Sequence, residues 1–158
     1  MLRLTSISVL ATLVLAATAD RADAHCQVPC GIYDDAARIE AMREDATTIE
    51  KAIANIVELS GKSDAQSANQ LVRWITTKED HASHIIEVVS VYFLTQKVKP
   101  VAEDAKGYAE YLAGLADHHA VMVAAMKCKQ NADPATVKVL RSALDALATH
   151  YSAEGHDH

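Results

Sequence analysis

Two thiols, an imidazole and a phenol fall within nine residues of this chain, His25-Cys26-Gln27-Val28-Pro29-Cys30-Gly31-Ile32-Tyr33. The triplet before them, Ala22-Asp23-Ala24, has the small-x-small form of a signal-peptidase site. Upstream, Arg3 precedes an apolar run from Ile7 to Ala19 that is too short to span a bilayer as a helix. Cleavage after Ala24 makes His25 the first residue, and its free amine then joins the imidazole and the two thiolates in one compact ligand set. The amide nitrogen of Cys26 can complete a plane with them. Only an ion such as Ni(II) or Cu(II) readily displaces an amide proton, and mixed nitrogen ligation in a square plane suits those two ions. Thiolates and an amidate donate enough charge to bring trivalent nickel within reach. The His25 imidazole can reach an axial position, Pro29 stiffens the turn, Gly31 permits close backbone approach, and Tyr33 can cover one face of the metal.

Other chemistries compete for the same residues. Cys26 and Cys30 can form a disulfide in an oxidising compartment, leaving Cys128 over from an odd count of three. Zinc accepts thiolates and imidazole, but these side chains alone leave it short of a fourth ligand. Processing at Ala17-Thr18-Ala19 would instead start the chain at Asp20. Cys128, between Lys127 and Lys129, reads as a structural thiol. His81 and His84, with Asp80 and Glu87 nearby, and His118-His119 are candidates for a metal site in a helix bundle. Such sites use Glu-x-x-His on two helices, which is absent here, so most of these read as polar surface and His119 as a packed histidine. His150, His156 and His158 read as part of a frayed tail.

The elements that must hold the nine residues are helical. Apolar positions three and four apart recur at Ile39, Met42, Ala46, Ile49, Ile53 and Ile56, predicting a helix from Asp34 or Asp35 to about Ser60. A second runs from Ser63–Ala68 to about Val98, with Leu71, Ile75, Ala82, Ile85, Val89 and Tyr92 inside and Lys78 interrupting. A third covers about Val101 to Cys128, with Tyr108, Leu112, Leu115, His119, Met122 and Met126 as its stripe. Asp133-Pro134 starts a fourth, seamed by Val137, Leu140, Leu144, Leu147 and Tyr151. The expected architecture is all-α, an up-down-up-down four-helix bundle over residues 34–151. Before it lie a cleaved leader (1–24) and a metal-binding hook (25–33), and after it a flexible tail (152–158). A formal charge of −6 and the lack of a basic patch exclude a nucleic-acid partner, and nothing beyond the leader suggests stable membrane association. The expected location is exported, periplasmic or secreted.

The nine residues resemble the nickel hook of the nickel superoxide dismutase family, H-C-x-x-P-C-G-x-Y at the mature N-terminus, at every fixed position. The resemblance extends to Ala37-Arg38-Ile39-Glu40-Ala41 and, more loosely, to Tyr92-Phe93. It implies nickel held by the amine and imidazole of His25, the amide nitrogen and thiolate of Cys26, and the thiolate of Cys30. Tyr33 would stand beside the open axial face, and Glu40 would orient the axial imidazole, with Arg43, Arg73 or Lys78 as candidates to support it. It also implies disproportionation of superoxide to dioxygen and hydrogen peroxide, and a homohexamer, with which the wide apolar face of the second helix agrees. The leader departs from the family's usual short one, so a single cut by signal peptidase would both release the exported chain and unmask the amine. The rival reading is an exported, non-enzymatic nickel or copper carrier.

Overall fold

A computed structural model describes residues 35–151, and among them every regular element is helical. Helix α1 spans Asp35–Leu59, α2 Ala65–Glu87, α3 Tyr108–Gln130 and α4 Pro134–Ala148. Helix α2 continues without a break into a π-helical segment, Val88–Lys97. None of these helices is long and apolar enough to cross a membrane.

Local chemistry sets the boundaries. Asp64 caps α2, its carboxylate accepting from the Ser67 amide at 2.9 Å and the Ser67 hydroxyl at 2.6 Å. Asp133 caps α4 through the Ala135 amide at 2.9 Å, and Pro134 occupies the first turn, where its missing N–H costs nothing. Helix α3 starts at Tyr108 and not near Val101, because Gly107 takes a φ of 97° that a right-handed helix cannot contain.

The second helix also departs from expectation. From Val88 onward its bonds reach five residues back: the Val98 amide to the Phe93 carbonyl, Thr95 Oγ1 to Ser90 and Gln96 Nε2 to Val91. This segment buries large residues in adjacent pairs, Val88 with Val89 and Tyr92 with Phe93.

In the core, Ile39, Met42, Ala46, Ile49 and Ile53 of α1 and Val137, Leu140, Leu144 and Leu147 of α4 are buried as their spacing predicts. Ala82, Ile85, Val89 and Tyr92 join them, but the start of α2 does not: Val72 and Ile75 are exposed. The predicted stripe of α3 is also rotated. Val121, Ala124, Ala125 and Cys128 face inward together with His118, while Leu112, His119 and Met126 face out. Most residues of the buried face are small, Ala124, Ala125 and Cys128 among them. Lys78, read as a polar interruption, is buried. Its ammonium donates to the carbonyls of Cys128, at 2.9 Å, and of Lys129, so it closes the last turn of α3.

Candidate metal centre and its root in the bundle

His25, Cys26, Pro29, Cys30, Gly31 and Tyr33 lie outside the described residues. The described chain supplies the root from which they extend. Tyr33 is two residues from Asp35 and Cys30 five, so Cys30 lies within about 18 Å of Asp35 along even a fully extended chain.

That root is polar and buried. Asp35, 8% exposed, accepts a hydrogen bond from the Tyr92 hydroxyl at 2.5 Å and pairs with the Lys97 ammonium at 3.1 Å. The Arg38 guanidinium stands 5.4 Å and Lys97 5.9 Å from the centre of the Tyr92 ring, both in cation–π range. The π-helical turn places Tyr92 and Lys97 together against the first residue of α1. π-Helical turns are frequently found at functional sites.

Behind Tyr92, Phe93 packs edge-on to it at 5.0 Å and against Tyr151 at 4.4 Å. His118 stands beside both rings. One ring nitrogen, Nδ1, donates to the Gly114 carbonyl at 2.6 Å, and the other, Nε2, accepts from the Tyr151 hydroxyl at 2.8 Å. That pairing suits the neutral imidazole, in keeping with burial, which holds the His118 pKa below its ordinary value. The Tyr151 phenol is pushed well above its usual range, first by burial and then by the charge of Asp35.

Glu40 lies in the second turn of α1 with its side chain 70% exposed. Of the three candidate supports, Arg43 is the one beside it, Nε to Oε1 at 3.5 Å, while its other arm reaches Asp145 at 2.8 Å. Arg73 is exposed on α2, and Lys78 is committed to the end of α3.

The histidines considered as a rival bundle-core site do not form one. Among the described residues no three His, Cys, Asp or Glu side chains are grouped to hold a metal ion. His118, not His119, is the packed histidine. His81 and His84 turn to Asp45 on α1, a residue the sequence did not single out. Asp80 and Glu87, proposed as their neighbours, make no ion pair with them. Cys128 is a buried free thiol, its pKa raised by burial, which fits a structural role. The Asp35–Tyr92–Lys97 cluster was also missed: Asp35 signalled only a helix cap, and its partners lie 57 and 62 residues away.

The sequence pattern of nickel-containing superoxide dismutases matches residues 20–154. No curated protein and no solved structure matches the chain. Helical in every regular element of its described residues and matched by that family over nearly all its length, the chain belongs to the nickel-containing superoxide dismutases. It is accordingly a nickel-dependent enzyme acting on superoxide.

Proposed function

We propose that a single cut after Ala24 completes the enzyme, leaving His25 first and placing its amine and imidazole, the Cys26 amide nitrogen and the Cys26 and Cys30 thiolates around nickel. The donor set fits that ion: an amine, an amidate, two thiolates and an imidazole are strong nitrogen and sulfur donors of the kind nickel takes, and these residues would hold it. Bound there, nickel would supply the one-electron chemistry of superoxide disproportionation, for which divalent and trivalent states are needed. The chain's residues do the rest. Tyr33, close in sequence to Cys30, would exclude competing ligands and offer a hydroxyl where peroxide needs a proton. Glu40 orients the His25 ring, with Arg43 beside it, and the Asp35–Tyr92–Lys97 cluster fixes where the hook leaves the bundle.

The observation that carries this reading is the full hook pattern at residues 25–33, within the matched span and two residues from a buried, ion-paired root. The helices form an up-down-up-down bundle, a topology supported by side-chain pairings that run in opposite order along neighbours. Asp35 meets Tyr92 and Asp45 meets His81; Arg43 meets Asp145 and Glu50 meets Arg141. Export to the periplasm or medium follows from the leader. Exposed Val57, Val72 and Ile75, clustered in sequence around the α1–α2 turn, support burial against further copies in a hexamer. The test is Cys26→Ser in the matured protein, with nickel content and superoxide turnover both measured. Loss of turnover and of the nickel held through thiolate is expected. Nickel that exchanges freely, without turnover in the wild type, would point to a carrier.

A further inference from the structure

Away from the hook, Asp45 presents an arrangement that neither the fold nor the reaction explains. It is a carboxylate only 6% exposed, and no lysine or arginine pairs with it. Its two oxygens instead accept from two imidazoles one helical turn apart on α2, Oδ1 from His81 Nδ1 at 2.6 Å and Oδ2 from His84 Nδ1 at 2.7 Å. A buried anion needs a compensating positive charge.

The bonds to Asp45 also fix the tautomer of both rings. With Nδ1–H donated to the carboxylate, each neutral imidazole carries its lone pair on Nε2. Neither Nε2 makes a hydrogen bond among the described residues, and the two side chains are 37% and 49% exposed. A carboxylate that holds the far nitrogen of a half-exposed histidine is the usual support of a metal-ligating imidazole, where it sets ring orientation and raises basicity. Here one buried carboxylate does so for two rings, at the i, i+3 spacing that puts side chains on one helix face.

We propose that His81 and His84 form a second, surface metal site, binding a divalent transition ion such as nickel or zinc through their Nε2 atoms. Asp45 orients both rings, and water completes the coordination. The site is independent of the hook, and its ligands are nitrogen and oxygen only.

The test uses the full mature chain carrying His156→Ala and His158→Ala, so that tail histidines cannot contribute. Cobalt(II) serves as the spectroscopic probe and nickel(II) as the stoichiometric one. In a His25→Ala/Cys26→Ser/Cys30→Ser version, one equivalent should still bind, giving weak visible bands without the intense near-ultraviolet band of thiolate ligation. His81→Gln/His84→Gln should abolish that equivalent while leaving helicity unchanged. Asp45→Asn should weaken it by about 10- to 100-fold, the cost of losing a supporting carboxylate. The proposal is overturned if the thiol-free protein takes up no cobalt or nickel, or if the double glutamine variant binds as tightly as its parent. Failure of the hook reading would show separately, as absence of the thiolate band in the protein with both cysteines.

Discussion

Tyr92→Phe removes one oxygen atom from the root of the hook. The hydroxyl is buried with its ring and donates to an ionised acceptor, Asp35, that is itself 8% exposed. Hydrogen bonds to charged groups contribute about 1.5–3 kcal/mol. Lys97 remains paired with Asp35 at 3.1 Å and limits the damage, so the expected loss is about 2 kcal/mol. For a chain of this size each kcal/mol moves the melting temperature by roughly 4 °C, giving a fall of about 8 °C. Both proteins should be melted at the same concentration, since assembly would make the midpoint concentration-dependent. The loss should be local as well as global: amide exchange should accelerate in the first turn of α1, around Arg38 and Ile39, and not in α4. A change below about 0.5 kcal/mol, with exchange in that turn unaltered, would refute the claim that this bond secures the base of the hook.

Lys78→Met should destabilise by about 1–3 kcal/mol, measured by denaturant unfolding, because the Cys128 and Lys129 carbonyls lose their charged donor; a neutral result would mean water replaces it. His118 gives a pH dependence of known sign. Its pKa is lowered in the fold, so below the ordinary imidazole value near 6.5 the unfolded chain binds more protons than the native one. The stability it contributes is therefore complete above about pH 6.5 and is lost as pH falls toward the folded value, at up to about 1.4 kcal/mol per pH unit. His118→Gln should flatten the unfolding free energy over that range relative to the wild type, and an equal slope in both proteins would contradict the assignment.

Much of this was legible in the sequence where one force dominates. Helix α1 sets branched and small apolar residues against charged ones, so its seam from Ile39 to Ile56 could be read from spacing alone. Asp133-Pro134 fixed the start of α4 by local chemistry. Helix α3 hides its register because it carries apolar residues all round, Leu112, Leu115, Met122, Val123 and Met126 among them. Which face turns inward is decided by how closely Ala124, Ala125 and Cys128 let its neighbours approach. The π-helical turn from Val88 is likewise a tertiary outcome, since no local signal separates it from an α-helix until Tyr92 and Phe93 both need burial. The family was legible through the fixed residue types at positions 25–33, which lie within the matched span. The buried acids were not: Asp35 pairs with Tyr92 and Lys97, and Asp45, away from the hook, with His81 and His84, across helices whose register a one-dimensional pattern does not contain.

The central claim is that processing creates the ligand set. Intact mass and metal analysis of the native, active protein test it together. The native chain should begin at His25, with Cys26 and Cys30 reduced and nickel bound through thiolate. Active protein that begins at Asp20 or retains residues 1–24, or that carries a Cys26–Cys30 disulfide with full turnover, would contradict it.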